Sequence, residues 1–95
     1  MVDLTSIRSA VEQAAREYPV KRVELFGSYA NGSASEGSDI DLLVEFKTSP
    51  VSLFKICGFQ SAVSELLQLD VDVVRLPLPK EHGLHIDRRI TLYDA

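Results

Sequence analysis

Two short acidic stretches constrain the fold more than any other feature of the chain. Asp39-Ile40-Asp41-Leu42-Leu43-Val44-Glu45-Phe46 and Leu69-Asp70-Val71-Asp72-Val73-Val74 each begin by alternating carboxylates with aliphatic side chains. Successive side chains of a strand point to opposite faces, so a period of two predicts β-strands with one acidic and one apolar face. Asp39 and Asp41 then project together, with Leu43 and Glu45 beyond them, while Ile40, Leu42 and Val44 face the other way. In the second stretch Asp70 and Asp72 share a face opposite Leu69, Val71 and Val73. Apolar faces of this kind need a covering layer, and two helical patterns supply it. Leu4, Ile7, Val11, Ala14 or Ala15, and Tyr18 recur at spacings of three and four, with Asp3 or Thr5 as cap and Pro19 as stop. Ser49-Pro50 opens a second helix with the stripe Leu53, Ile56, Phe59 or Gln60, Val63, Leu66 and Leu67. Gly58 inside it costs about 1 kcal/mol relative to alanine, and Cys57, near the stripe, reads as a small buried hydrophobe.

The remaining segments complete an α/β pattern. Lys21–Phe26 is a short β-rich run stopped by the tight turn Gly27-Ser28, from which a short helix runs through Ala30. Gly32–Ser38 is a loop of small residues, and Pro77 and Pro79 lead through a short basic helical segment to a last strand at Ile90–Tyr93. The expectation is a small mixed β-sheet backed by helices, with residues 1–95 forming one domain.

Charge and cysteine content narrow the function. With 10 Lys+Arg against 14 Asp+Glu the net charge is −4, which opposes binding to nucleic acid or anionic membranes and makes any phosphate chemistry a local affair. The apolar fraction of 45% is that of an ordinary globular chain. One cysteine allows no internal disulfide, and nothing resembles a signal peptide, so a reducing cytoplasm is the expected setting. The longest apolar runs are three or four residues, far short of a membrane span.

Either acidic stretch alone would be the solvated face of an ordinary half-buried strand. Together they imply more. Carboxylates two residues apart on a strand stem from points about 6.6 Å apart, close enough to converge on one hard cation. If the two strands are neighbours, three or four acids crowd one patch, and like charges at that range raise each other's pKa or demand a metal. An all-oxygen donor set favours Mg²⁺ or Mn²⁺ over zinc. His82 and His85 lack zinc-site spacing and read as surface residues. Gly27 and Ser28 add a turn where backbone amides and a hydroxyl can approach an anion.

These residues resemble a known family. Leu25-Phe26-Gly27-Ser28-Tyr29-Ala30-Asn31-Gly32, followed by Ser38-Asp39-Ile40-Asp41-Leu42-Leu43-Val44, is similar to the signature of the DNA polymerase beta nucleotidyltransferase superfamily: Gly-Ser, ten residues, then Asp-x-Asp. The likeness is nearest to the minimal nucleotidyltransferases, and Val71-Asp72-Val73-Val74 resembles the strand carrying their third carboxylate. The resemblance implies that Gly27 and Ser28 hold a triphosphate. It implies that Asp39, Asp41 and Asp72 ligate two Mg²⁺ ions, with Asp72 also helping to deprotonate the attacking hydroxyl. Asp70 is the rival for the third acid. Relatives often carry arginine where this chain has Tyr29 and Asn31, so a phosphate-gripping cation is missing there. The basic neighbourhood of Lys80, Arg88 and Arg89, with the two histidines, is either a solvated face or a contact for triphosphate or partner.

Many such small proteins are encoded with a HEPN-domain ribonuclease toxin and act as its antitoxin, in the better understood cases by transferring AMP from ATP to a tyrosine of the toxin. The resemblance therefore implies an adenylyltransferase with ATP as substrate, Mg²⁺ as cofactor and a HEPN toxin as protein partner in a hetero-oligomer. The alternative is a non-catalytic antitoxin that neutralises its partner by covering it. Transfer to a small molecule ranks last, because the chain has no room for an acceptor domain.

Overall fold

The computed structural model describes residues 2–48, 50–75 and 88–95. Its elements run α1 (Leu4–Ala15), β1 (Val20–Phe26), α2 (Ser28–Asn31), β2 (Ile40–Phe46), α3 (Leu53–Leu67), β3 (Val71–Arg75) and β4 (Ile90–Asp94). The four strands form one sheet in the order β3-β2-β1-β4, with β1 antiparallel to both β2 and β4 and β2 parallel to β3. Parallel neighbours need a long crossover, and α3 provides it. This is the mixed, helix-backed sheet that the alternating pattern implies.

The core lies between the sheet and the pair α1 and α3, which pack on each other. Ile7 and Val11 of α1 and Phe59 and Val63 of α3 meet Val23 and Leu25 of β1 and Ile40 and Leu42 of β2 there, all of them buried. A register shift between Val20 and Arg22 puts Val20 and Val23 into the same core, although strict alternation would separate them. Asp3 caps α1, its Oδ1 accepting from the Ser6 amide at 2.8 Å. The helix stops at Ala15, so Tyr18 packs on the core from the turn that follows.

The second helix departs from its expected outline. It begins at Leu53, capped by Ser52, whose Oγ accepts from the Lys55 amide; Ser49 lies outside the described residues. Only Phe59, Val63 and Leu67 of the stripe are fully buried, at a spacing of four. Leu53 is 71% exposed and Leu66 45%, because the covered stripe is narrower than the apolar pattern. Cys57 is exposed rather than buried. Two residues turn a helix by about 200°, so it points away from Phe59. Gly58 has a packing reason: a Cβ there would lie 2.6 to 2.9 Å from the Tyr18 ring, which meets Phe59 edge-on with centroids 6.3 Å apart. The basic segment expected to be helical, with Pro77, Pro79, Lys80, His82 and His85, lies outside the described residues.

Candidate active site

The sheet face away from α1 and α3 carries the acids. In the β2–β3 ladder Ile40 is opposite Val71 and Asp41 opposite Asp72. Partners in a ladder share a face across about 4.8 Å, so the two carboxylates stand side by side. Asp39 precedes β2 by one residue and adds its charge from the same side. Asp41 is the focus of the cluster: its carboxyl is pushed above the ordinary carboxylate range, first by burial, then by repulsion from Asp72 and then from Asp39.

Three devices deliver these acids. Ser38 and Ser35 close a turn, with the Ser38 amide donating to the Ser35 carbonyl at 3.0 Å and the Ser35 amide to Ser38 Oγ at 2.9 Å, immediately before Asp39. Gln60 of α3 donates its side-chain amide to the Val71 carbonyl at 2.6 Å, and Ser64 its hydroxyl to the Leu69 carbonyl at 2.6 Å, which fixes the start of β3. The Ile40 amide donates to the Asp70 carbonyl at 2.9 Å, which starts the β2–β3 register. Asp70 therefore serves the ladder through its backbone. Its side chain lines an open groove of about 430 Å³ with Asp39, Ser64, Glu65 and Gln68. Of the two rivals, Asp72 is the one beside Asp41.

The end of β1 reaches the same row, since Phe26 pairs with Asp41. Gly27 follows with φ 75° and ψ −154°, a conformation open in practice only to glycine. Its bare Cα faces the Asp41 carboxylate: a Cβ would overlap Oδ2 and lie 3.0 Å from Cγ. Ser28 then opens α2, a single turn that closes with the Asn31 amide donating to the Gly27 carbonyl and ends at Gly32 with φ 77°. The first amides of a helix have no partner within it, so α2 starts beside the acid row with donors and a hydroxyl. Tyr29 packs against the core from the helix side, its hydroxyl buried without a partner.

The donor set consists of carboxylate oxygens, which suits a hard divalent ion. Among the described residues no group of three or more His, Cys, Asp or Glu is arranged to hold a metal ion. An open set of this kind fits magnesium, which keeps water or phosphate among its ligands and takes only one or two carboxylates.

Sequence reasoning missed one acid. Glu24 pairs with Leu43 on β2 and Thr91 on β4, on the acid-bearing face, and is 7% exposed. Its Oε1 lies 3.5 Å from Arg22 Nε and 3.8 Å from an Arg89 guanidinium nitrogen. The alternation of Arg22, Glu24 and Phe26 was the available signal for a shared face. The arrival of Arg89 from the far end of the chain had none. Arg88 and Arg89 are both exposed, just before β4.

Comparison with known proteins agrees with this geometry. The family model for the nucleotidyltransferase domain matches residues 7–92. The protein adenylyltransferase MntA of Thermococcus cleftensis is 40% identical over 73 residues, covering 76% of this chain and 73% of that protein. The fold is similar to a chain in the crystal structure of a toxin-antitoxin with AMP-PNP, with a TM-score of 0.72 and 20% identity over 93% of this chain and 73% of the other. It is also similar to a chain in the structure of a tri-AMPylated Shewanella oneidensis HEPN toxin in complex with MNT antitoxin, with a TM-score of 0.65 and 17% identity over 97% and 73%. Among the described residues no helix is long and apolar enough to cross a membrane. The chain belongs to the nucleotidyltransferase domain family.

Proposed function

We propose that this chain is an antitoxin that transfers AMP from ATP to a tyrosine of a HEPN-domain toxin, releasing pyrophosphate. The observation that carries the reading is the row of Asp41 and Asp72 on adjacent parallel strands, with Asp39 beside them and Gly27 against the Asp41 carboxylate. The adenylyltransferase name of the Thermococcus relative and the toxin-antitoxin likenesses support the same direction.

In this reading Asp39, Asp41 and Asp72 would hold Mg²⁺; Asp41 is the carboxyl that is raised, first by burial and then by Asp72 and Asp39. The ions, when bound, neutralise triphosphate charge and polarise the α-phosphorus. Gly27 lets the Asp41 carboxylate lie against the turn, and Ser28 donates its hydroxyl and amide to phosphate oxygens. Asp72 takes the proton of the tyrosine hydroxyl. The phenolic oxygen then bonds to the α-phosphorus while the bond from that phosphorus to the bridging oxygen breaks, and pyrophosphate departs. With Asp39 and Asp72 exposed at the end of the row, the acceptor is best supplied by a partner docked over them rather than by an enclosed pocket.

Incubation of the chain with a HEPN partner, ATP and Mg²⁺, followed by intact-mass measurement of the partner, tests the reading. The expected result is a gain in steps of one AMP, abolished by Asp41→Asn or by chelation of the metal. A partner of unchanged mass under conditions where the complex forms would sink it.

A further inference from the structure

Strands β2 and β3 bring no lysine or arginine to the face of the acid row: Arg75, at the end of β3 opposite Val44, is three residues from Asp72 and so falls on the other face. Between Arg22 and Lys47 the sequence has no lysine or arginine, so the Gly27 turn, α2 and the approach to β2 are all without positive charge. Tyr29 is turned to the core, and Asn31 is neutral. The charge comes instead from the other edge of the sheet. Ile90 of β4 pairs with Leu25, so in this antiparallel ladder Arg89, one residue earlier, arrives level with Phe26. Phe26 pairs with Asp41 and Asp41 with Asp72, which places Arg89 at the end of the same row, about 10 Å from β2 across two strand spacings.

Arg89 is held on this face by a buried group. Glu24 is 7% exposed, whereas the Arg89 side chain is 47% exposed and lies 3.8 Å from Glu24 Oε1. That separation is an ion pair without a hydrogen bond, so charge alone orients the guanidinium. A planar fork with five donors matches phosphate oxygens in pairs. A buried carboxylate that kept no cation beside it would be costly, which explains why a charged residue in the middle of a sheet tolerates its place.

Resting on the proposed adenylyl transfer, we propose that Arg89 grips the β- and γ-phosphates of ATP and that Glu24 is its positioning residue. Arg89 then stabilises the negative charge that accumulates on pyrophosphate as the bond to the α-phosphorus breaks. Arg22, also beside Glu24, sits further from the row, opposite Glu45 and Asp94.

The test measures AMP transfer to the HEPN partner against ATP concentration for the wild type, Arg89→Ala, Arg89→Lys and Glu24→Gln. Inhibition by pyrophosphate and by AMP is measured alongside. One charged hydrogen-bonded contact predicts a rise of about tenfold or more in KM for ATP and in the pyrophosphate inhibition constant for Arg89→Ala, with partial recovery in Arg89→Lys. The AMP constant stays put, because AMP lacks the gripped phosphates; a purely structural role would move all three. Glu24→Gln follows in the same direction. KM and pyrophosphate inhibition within twofold of wild type in Arg89→Ala would overturn the proposal. If the wild type transfers nothing, the adenylyl-transfer reading fails. Calorimetric titration of MgATP and pyrophosphate into wild type and Arg89→Ala then decides the phosphate contact separately: a tenfold weakening for both supports it, and equal affinities overturn it.

Discussion

At the scale of single residues, the site is a place where stability has been exchanged for charge. Asp41 has a folded-state pKa above that of the unfolded chain, chiefly through burial and then through Asp72 and Asp39. Between those two values the native state binds more protons than the unfolded one, so stability falls as pH rises through that window. Asp3 has the opposite sign: the Ser6 amide holds its carboxyl below the ordinary range, so its contribution is present at neutral pH and is lost as pH falls through the lowered value. Asp41→Asn is therefore expected to raise the melting temperature of the metal-free chain at pH 7 while abolishing transfer. Water screens the half-exposed cluster, so the gain stays below about 1 kcal/mol, or at most about 4–8 °C in a domain of this size. Thermal melts of both forms between pH 4 and 8 check this: the curves should converge as pH falls, and Mg²⁺ should stabilise the wild type more than the variant. Gly27→Ala is the sharper lesion. It combines a left-handed backbone position with a methyl driven into the Asp41 carboxylate, a strain of about 1–3 kcal/mol. Displacing Asp41 by an ångström predicts at least about a hundredfold loss of transfer rate, read by initial rates at saturating ATP.

At the scale of elements, legibility in the sequence followed the range of the forces. The strands β2 and β3 and their acidic faces were readable because alternation is a local property, and so was the turn at Gly27-Ser28. That Asp72, not Asp70, stands beside Asp41 depends on the register between strands separated by α3, which is set by Gln60, Ser64 and the Ile40 amide. The motif resemblance favours Asp72, but strand alternation, which puts Asp70 and Asp72 on one face, does not encode that register. The outline of α3 misled for a related reason: an apolar stripe shows which residues can be buried, but Leu53 and Cys57 face outward where the helix has nothing packed on it. Gly58 shows the same limit. Helix propensity alone makes Gly58→Ala stabilising by about 1 kcal/mol, yet the Tyr18 ring occupies the space a Cβ needs. Overpacking of this kind costs about 1–3 kcal/mol, so the net expectation is a loss of up to about 2 kcal/mol, visible in a urea melt with unchanged slope. A more stable Gly58→Ala would mean that Tyr18 moves aside freely.

At the scale of the whole molecule, size and charge shape how such a site can work. The described chain spans 34 × 31 × 20 Å, and its sheet is covered by helices on one face while the other presents the acids. A net charge of −4 with three aspartates at the centre makes approach of a free triphosphate unfavourable until cations intervene. Nucleotide affinity should accordingly fall steeply on chelation and recover with Mg²⁺ rather than with an equal ionic strength of monovalent salt. The same architecture separates two ways of silencing a toxin. Covering the partner needs only a complementary surface, to which Asp39 and Asp41 contribute little; transfer needs their charge. Changing both to asparagine keeps side-chain shape and relieves repulsion within the row, so the folded chain and its complex should persist. Dosed equally against the toxin's ribonuclease activity, this double variant is expected to form the complex, observed by size-exclusion chromatography, and yet to leave a toxin that regains full activity once separated. The wild type should leave a toxin that stays inactive after separation, because the AMP remains on its tyrosine. Equal recovery in both cases would identify occlusion as the working principle and reduce the acid row to a remnant.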